Sequence, residues 1–253
     1  MRAITTLRIA TYNIHKCRGM DRRVSPERVA EVIRELKVDV VALQEVLREE
    51  KRDQFRILAK LTEYEFSCFG ENRKHRGAAY GNALLSRVPI EHWKNYDLTV
   101  GQREPRGLLR ADIRLPGGGL LHVLNVHLGT GLLERRGQAR KLMHEEVLLS
   151  KELSSPRILL GDFNEWTRGL ATRMLSSHFR SADWTEKTTG RRRRSYPGML
   201  PLLHLDHVYY DETLELKMFR LHRSKTALVA SDHLPLVAGF GVDTNVDGKT
   251  HIC

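Results

Sequence analysis

Six apolar segments of this sequence end abruptly in a carboxylate, an amide or an imidazole. They are T-Y-N-I (Asn13), L-Q-E-V (Glu45), L-N-V-H-L (Asn125 and His127), G-D-F-N (Asp162 and Asn164), L-D-H-V (Asp206 and His207) and S-D-H-L-P (Asp232 and His233). A buried charge is costly unless it is paired or binds a metal. One such position alone is typical of a turn or of a satisfied structural group. Six in one chain indicate a functional site.

The residue types at these positions indicate which chemistry the site performs. Carboxylate and amide oxygens, in a chain with few cysteines, favour Mg²⁺ or Mn²⁺ over Zn²⁺ as the bound ion. Neutral amides and imidazoles beside them can stabilise an oxyanion whose charge grows in the transition state. Hydrolysis of a phosphoester requires this combination of groups.

Strand-like and helical segments alternate along the chain, which indicates an α/β architecture. The patterns predict strands over residues 7–14, 38–43, 82–86, 90–98, 108–115, 120–126, 157–160, 205–210, 214–221 and 234–240. They predict helices after an N-cap at Ser25 with Pro26 at the first helical position, over 53–61, and within 131–154. Residues 116–119 form a predicted hairpin turn. We predict one domain over residues 1–242 and a C-terminal tail over 243–253.

Charge and composition narrow the classes of partner. The chain has 42 Lys and Arg against 31 Asp and Glu, a formal net charge of +11. This excess favours nucleic acid, a phosphorylated metabolite or an anionic membrane surface, with a merely soluble basic protein as the alternative. The three scattered cysteines indicate neither a disulfide framework nor a zinc site. Without a long apolar run or a signal-peptide pattern, we expect no transmembrane segment and a cytoplasmic monomer.

Taken in order, the motifs resemble those of the endonuclease/exonuclease/phosphatase superfamily. The resemblance covers residues 7–240 and is carried by T-Y-N-I, L-Q-E-V, Y-G-N-A-L-L-S-R, E-P-R-G-L-L-R-A, N-V-H-L, G-D-F-N, L-D-H-V and S-D-H-L-P. It implies a four-layer α/β sandwich, in which two mixed β-sheets pack face to face and are flanked by helices. It also implies a divalent-metal-dependent phosphoesterase with its site at one end of the sandwich.

The resemblance assigns the metal side of the site first. Glu45 matches the family's principal metal ligand, with Asn13 beside it, and Asp232 adds a carboxylate there. Arg106, in E-P-R-G, resembles an arginine that holds the site together and contacts substrate, and a structural salt bridge is the other interpretation. Asn125 lies two residues before the N-V-H-L histidine, on the same strand face, and is assigned to the substrate side.

The hydrolytic residues follow from the same resemblance. Asp162 matches the carboxylate that contacts the attacking water, and Asn164 the amide that orients this water or holds the phosphate. His127 occupies the position of a phosphate-contacting residue. His233 matches the catalytic histidine, which Asp206 orients. The family leaves open whether Asp162 or His233 removes the proton from water.

Departures from the repair-enzyme pattern bear on the substrate. Ile14-His15-Lys16 follows the first motif and Leu202-Leu203-His204 precedes L-D, which argues against an abasic-site endonuclease. These segments look more like compact bacterial members and the pancreatic-DNase and sphingomyelinase branches. The basic run Arg191, Arg192, Arg193 and Arg194 is either a solvated loop or a phosphate clamp, beside which Tyr196 could stack on a base.

Three functions remain from the sequence. We expect a metal-dependent phosphodiesterase, a nuclease that hydrolyses DNA or RNA. The first alternative is a phosphoesterase of anionic phospholipid headgroups or inositol phosphates, which the basic run would serve equally well. The second, from another class, is a non-catalytic basic nucleic-acid-binding module. Intact motifs speak against that module.

Overall fold

The alternating segments fold into strands and helices that build two β-sheets. The computed structural model describes residues 4–50, 52–144, 147–150, 153, 156–165, 169–183 and 194–243. The strands within these ranges are β1 (Ile4–Asn13), β2 (Val40–Arg48), β3 (Phe66–His75), β4 (Ala78–Ser86), β5 (Ile90–Asp97), β6 (Gly107–Arg114), β7 (Leu120–His127), β8 (Arg157–Asp162), β9 (Arg180–Ser181), β10 (Asp206–Tyr210), β11 (Glu215–Leu221) and β12 (Leu236–Asp243).

Helices connect several of these strands. They are α1 (Pro26–Leu36), α2 (Gln54–Thr62), α3 (Leu132–Leu142), α4 (Leu170–Leu175) and α5 (Ala227–Ala230). The predicted start of α1 is confirmed, since the Ser25 side chain accepts a hydrogen bond from the Arg28 backbone N–H at 3.2 Å. Asp53 caps α2 in the same way through the N–H of Arg56. Within the described ranges, no helix has the length and apolar character needed to cross a membrane.

The two sheets each contain six strands and are mixed. The first sheet has the order β11-β12-β1-β2-β4-β3, and the second has the order β5-β6-β7-β8-β10-β9. The β1–β2 pair and the β7–β8 pair are parallel, and the other neighbours are antiparallel. A parallel pair therefore lies near the middle of each sheet, with its carboxyl ends at one edge.

Apolar side chains from the inner faces of both sheets form the central core. Ile9 and Ala42 of the first sheet pack with Val123, Leu160 and Val208 of the second. A second apolar cluster joins the outer face of the first sheet to α1, α2 and α5, and a third joins the outer face of the second sheet to α3 and α4. The order helix, sheet, sheet, helix confirms the predicted four-layer sandwich.

Several predicted boundaries differ from the structure. β3 was not predicted, because its second half, G-E-N-R-K-H, lacks apolar alternation. The helix expected within 131–154 ends at Leu142. The hairpin at 116–119 is confirmed, since the N–H of Leu115 donates to the carbonyl of Gly119 at 2.8 Å between β6 and β7. β12 continues to Asp243, and the remainder of the predicted tail lies outside the described residues.

Candidate active site

The topology brings the polar strand ends to one edge of the sandwich. Asn13 ends β1, and His127 and Asp162 end the parallel strands β7 and β8, where they are register partners. β10 is antiparallel to β8, so its first residue, Asp206, pairs with Asp162. His233 precedes β12, whose first residue, Leu236, is the register partner of Thr11 in β1. These side chains therefore converge although they are far apart in sequence.

The glycine of the G-D-F-N motif is required by the close approach of two strands. Gly161 has a φ of +145°, and a Cβ there would lie 1.9 Å from the carbonyl oxygen of Val126 in β7. Any side chain would therefore push β8 away from β7. The glycine keeps Asp162 at its place beside His127.

A β-bulge in β2 places Glu45 in the site. Between the pairs Leu43–Ala83 and Val46–Gly81, two residues of β2 face one residue of β4. Glu45 has a φ of +59°, which is unusual for a residue with a side chain. Such a bulge re-aims a side chain and interrupts the strand ladder. Carbonyl groups next to the bulge must then find other hydrogen-bond partners.

Asn125 supplies these partners from the opposite sheet. Its Nδ2 donates to the carbonyls of Leu43 and Ala83, each at 2.9 Å, and its Oδ1 accepts from Gln44 Nε2 at 2.7 Å. Asn125 is fully buried, as is Gln44. The structure therefore places Asn125 between the sheets, where it supports the bulge, rather than on an accessible surface of the site.

Replacing Asn125 with leucine is expected to lower the free energy of unfolding by about 2–4 kcal/mol, because two buried carbonyls lose their partner. The kcat should fall as well, since the bulge that positions Glu45 loosens. Chemical denaturation and a hydrolysis assay measure the two effects. Tyr64→Phe is the matched control: its hydroxyl donates to the carbonyl of Val38 far from the site, so only stability should fall, by about 1 kcal/mol. An Asn125→Leu variant with normal kcat would contradict this role.

Asp162 is the centre of the converging groups. Its Oδ2 lies 3.0 Å from Asn13 Nδ2, 3.6 Å from His127 Nε2 and 3.7 Å from His233 Nε2. Burial and the neighbouring Asp206 carboxylate raise the pKa of Asp162 to about 6, against the opposing effect of His233. Asp162 is therefore ionised at neutral pH, and it is a much stronger base there than an ordinary aspartate.

His233 lies between two carboxylates. Its Nδ1 is 2.8 Å from Asp206 Oδ2, which also accepts a hydrogen bond from Ser195 Oγ. Burial works against the charged imidazolium, but the Asp206 and Asp162 carboxylates raise the pKa of His233 to about 10. At neutral pH the ring is therefore a cation that Asp206 holds in a fixed orientation. The Tyr196 ring packs against it with a centroid separation of 5.0 Å.

His127 is held in the opposite protonation state. Arg106 Nη1 lies 3.0 Å from His127 Nε2, and a guanidinium can only donate. The imidazole therefore accepts at Nε2 and carries its proton at Nδ1. Burial and the Arg106 charge hold the pKa of His127 well below its usual value. Arg106 itself is buried, and its Nη2 is paired with Glu104 at 3.3 Å, so it joins a salt bridge to the site histidine.

Glu45 forms the second anionic position of the site. Its carboxylate is hydrogen-bonded to the Lys16 ammonium, and Asn13 Nδ2 lies 3.3 Å from its Oε1. Burial raises the pKa of this carboxyl, but the charge of the Lys16 ammonium and its hydrogen bond to the carboxylate outweigh burial and lower the pKa to about 2. Asn13 accepts the N–H of His15 through Oδ1, so it presents its amide NH₂ group, not its oxygen, to Glu45 and Asp162.

The acidic groups fit a divalent cation. Oxygen atoms of Asp162 and Asp206 lie within 4.8 Å of each other, while the His233 imidazolium beside them has no lone pair to offer a metal. Asp206 Oδ1 is buried and has no hydrogen-bond partner among the described residues. Asn13 Nδ2 contacts both Glu45 and Asp162, so these two carboxylates are close enough to face one hydrated ion. Oxygen donors of this kind suit Mg²⁺ or Mn²⁺.

The other predicted residues lie around this centre. Asn164 has a φ of +49°, its N–H donates to Asp162 Oδ1, and its Nδ2 donates to the Leu128 carbonyl. Asp232 lies on the rim, 3.5 Å from His15 Nδ1. Arg194 is exposed, and Arg191, Arg192 and Arg193 lie outside the described residues.

Sequence reasoning missed two contributors to the centre. Lys16 forms an ion pair with Glu45, and the Ser195 hydroxyl donates a hydrogen bond to Asp206. Lys16 follows directly on the T-Y-N-I motif, which is the signal that could have identified it. Ser195 has no comparable signal, because it follows the arginine run in a segment without strand or helix pattern.

Comparisons with known proteins agree with the fold and motifs. A sequence model of the "Endonuclease/Exonuclease/phosphatase family" matches residues 10–233. "Uncharacterized protein YbhP" of Escherichia coli (strain K12) is 32% identical over 245 residues, which are 92% of this chain and 95% of that protein. The range matched by the family model contains every candidate site residue from Asn13 to His233.

Solved structures share the fold at lower identity. The endonuclease/exonuclease/phosphatase from Beutenbergia cavernae DSM 12333 is similar with a TM-score of 0.74 and 24% identity, over 96% of this chain and 72% of that one. The mannosyl-6-phosphatase Bt3783 of Bacteroides thetaiotaomicron VPI-5482 has a TM-score of 0.69 and 17% identity, over 92% and 98% of the two chains. At these identities the likeness concerns the fold.

Proposed function

The chain belongs to the endonuclease/exonuclease/phosphatase family and is therefore a metal-dependent phosphoric-ester hydrolase, and we propose that it acts on phosphodiester bonds of DNA or RNA with Mg²⁺ or Mn²⁺. The observation that carries the substrate class is a basic cleft beside Glu45. This cleft has a volume of about 920 Å³, and its cationic lining residues are Lys16, Arg18, Arg22, Arg52 and Arg76.

The cleft suits a polyanion better than a single phosphate. Arg18, Arg22, Arg52 and Arg76 are exposed, and none of them forms an ion pair with another described residue. Lys16 connects the cleft to the site through its bond to Glu45. Unpaired guanidinium groups spread over a cleft can each contact a backbone phosphate, while a small phosphorylated metabolite would use only those nearest the site.

Each residue of the site has a defined task in hydrolysis. Asp162 Oδ2 accepts the proton of the attacking water, because it is the ionised group with a raised pKa. The attack is in line with the leaving oxygen. The His233 imidazolium, oriented by Asp206, stabilises the negative charge that develops on the phosphate oxygens and donates its Nε2 proton to the leaving oxygen. Arg106 holds His127 in its neutral form beside the phosphate position.

The divalent cation belongs on the Glu45 side of this arrangement. Glu45 would hold it, with the Asp162 carboxylate facing it across Asn13. When bound, it would neutralise phosphate charge and lower the pKa of a coordinated water. Asn13 Nδ2 contacts both carboxylates, and the Lys16 ammonium forms an ion pair with Glu45.

A second candidate substrate is a phospholipid headgroup. Met199, Leu200 and Leu202 expose 59%, 67% and 56% of their surface in the loop that leads to β10. This loop is tied to the site, because the N–H of Gly198 donates to the Asp232 carbonyl at 2.7 Å. An exposed apolar loop next to a phosphoesterase site could enter a membrane interface.

A substrate panel separates the two candidates. Purified protein with Mn²⁺ is assayed on single- and double-stranded DNA, RNA, anionic phospholipid vesicles, inositol phosphates and a sugar phosphate. The nuclease proposal predicts the highest kcat/KM on a nucleic acid. Preferential turnover of vesicles would establish the lipid candidate, and preferential turnover of a monoester would contradict both.

Replacing Arg18, Arg22, Arg52 and Arg76 with serine is expected to weaken nucleic-acid binding and to make the log–log salt slope shallower by roughly 0.7–0.9 per lost phosphate contact. Hydrolysis of bis(p-nitrophenyl) phosphate should barely change, because the hydrolytic residues remain. Serine at Lys37, Lys60, Arg223 and Lys225, which are exposed outside the cleft, is the control with equal charge loss.

The same experiment tests the basic run Arg191, Arg192, Arg193 and Arg194, replaced together by serine. A reduced salt slope in this variant would assign phosphate contacts to the run. If the cleft variant binds DNA and RNA as the control variant does, with the same salt slope, the cleft is not the nucleic-acid surface and the substrate class must be withdrawn.

A further inference from the structure

A second cluster of metal-ligating side chains lies on the opposite face of the second sheet. Asp183 follows β9, and His204 and His207 flank Asp206 in sequence. Residues alternate along β10, so His207 points away from the inner core, and its ring meets Phe163 edge-on at a centroid distance of 5.3 Å. Asp206 points into the candidate active site, so the two clusters lie on different faces of the same strand.

The three side chains are buried, with exposed fractions of 4% for Asp183, 2% for His204 and 1% for His207. The two imidazole rings lie 4.2 Å apart between centroids. Buried polar groups are normally satisfied by hydrogen bonds, so a buried imidazole whose nitrogens lack them points to another partner.

The tautomer of His207 is fixed from outside the cluster. Its Nε2 lies 2.8 Å from the backbone carbonyl oxygen of Glu165, and a carbonyl can only accept, so Nε2 carries the proton. In the neutral ring, Nδ1 then has a free lone pair that faces Asp183 Oδ2 at 3.7 Å. A bond from one ring nitrogen to a backbone carbonyl is the usual arrangement of a histidine whose other nitrogen binds a metal.

His204 points to the same conclusion independently. Neither of its ring nitrogens has a hydrogen bond among the described residues, although the side chain is buried. Its Nε2 lies 3.3 Å from Asp183 Oδ2. This separation and the 3.7 Å separation of His207 exceed the usual range of N–H···O hydrogen bonds. Ligand atoms about 2.0–2.1 Å from a tetrahedral zinc ion lie about 3.3 Å from one another.

We propose that Asp183, His204 and His207 form a zinc site, with a water as the fourth ligand. Two imidazole nitrogens and one carboxylate favour Zn²⁺ over Mg²⁺, which prefers oxygen ligands. The ion would tie the segment after β9 to residues on both sides of Asp206, and so fix the strand end that presents this carboxylate to His233. The site is separate from the proposed phosphodiesterase centre and does not depend on its substrate.

Metal binding to the chelator-stripped full-length chain tests the proposal. Zinc is titrated and quantified by atomic emission, Tm is measured with and without zinc, and Co²⁺ replaces zinc as a spectroscopic probe. The wild type should bind one more equivalent of zinc than His204→Gln, and its Tm should rise with zinc. Its Co²⁺ form should show the intense visible absorption of tetrahedral coordination, which His204→Gln should lose.

Two further variants make the result specific. Glu45→Gln, in the other cluster, should keep the additional zinc equivalent and the Co²⁺ spectrum. His204→Cys replaces one zinc ligand by another, so it should retain zinc and add a thiolate-to-cobalt absorption band. That band decides the question if His204→Gln fails to fold. Equal zinc stoichiometry, Tm rise and Co²⁺ spectrum in the wild type and His204→Gln, or a His204→Cys variant without the thiolate band, would overturn the site.

Discussion

Replacing His233 with alanine is expected to lower kcat by about 10³-fold, and Asp206→Asn by about 10²–10³-fold. The two residues form one unit, because Asp206 orients the imidazole through the 2.8 Å bond to Nδ1 and supports its positive charge. The double variant should therefore cost little more than the worse single variant. Steady-state kinetics on bis(p-nitrophenyl) phosphate with saturating Mn²⁺ measures all three losses.

The chain offers a matched control for this pair. His122 Nδ1 lies 2.6 Å from Asp112 Oδ1, so it is a second buried histidine–aspartate pair, near the start of β7 and far from the site end. His122→Ala should destabilise the fold and leave the kcat of folded protein unchanged. If the losses of His233→Ala and Asp206→Asn multiply in the double variant, the two residues do not act as a pair.

Glu45→Gln is expected to abolish most of the response to divalent cations. Glutamine keeps the shape of the side chain but removes the negative charge that a hard cation requires. We expect a loss of Mg²⁺ and Mn²⁺ affinity of at least about tenfold and a fall in kcat of about 10³-fold, since the ion both neutralises phosphate and activates water. Isothermal titration calorimetry gives the affinity, and a metal titration of the hydrolysis rate gives the kinetic effect.

Glu49→Gln is the control for this prediction. Glu49 lies just after β2 and is exposed on the basic cleft, so its replacement removes an equal charge close to the site without removing a buried ligand. The Glu45→Gln variant should remain folded. Loss of the carboxylate leaves Lys16 without its ion-pair partner, but Lys16 is partly exposed and can turn to solvent. Unchanged ion affinity in Glu45→Gln would contradict the assignment of the metal side.

The location of the site could be predicted from the sequence, because polar residues at the ends of apolar segments mark where strands end. Asn13, Asp162 and Asp206 each stand directly at the end or the start of an apolar segment, and the structure brings them to one edge. Glu45 was identified by its place in L-Q-E-V, yet the reason it reaches the site is a bulge. One extra residue in a strand has no pattern that periodicity could detect.

How deeply a side chain lies between the two sheets could not be predicted from the alternation of residues along a strand. Asn125 and His127 do lie on the same face of β7, as their spacing requires. Two residues along a strand are about 7 Å, however, and this distance separates a side chain at the edge from one between the sheets. Asn125 therefore meets Gln44 and the backbone of the first sheet.

The sequence also contained no pattern that could predict contacts between distant segments. Asp183 and His204 are 21 positions apart and carry no motif spacing, so their proximity depends on how the end of β9 packs beside β10. The basic cleft has the same origin, since Arg22, Arg52 and Arg76 come from three separate loops. The sequence predicted an anionic partner from net charge and assigned its contacts to residues 191–194, of which 191–193 lie outside the described residues.

One rate measurement tests whether the converging carboxylates and histidines form a metal-dependent phosphodiesterase. Chelator-stripped wild-type protein and His233→Ala are assayed on bis(p-nitrophenyl) phosphate in EDTA and after addition of Mg²⁺ or Mn²⁺. We expect no turnover in EDTA, turnover by the wild type once either ion is added, and at most about a thousandth of that rate in His233→Ala. Turnover that persists in EDTA, or metal-supported turnover that is equal in the two proteins, would contradict this expectation.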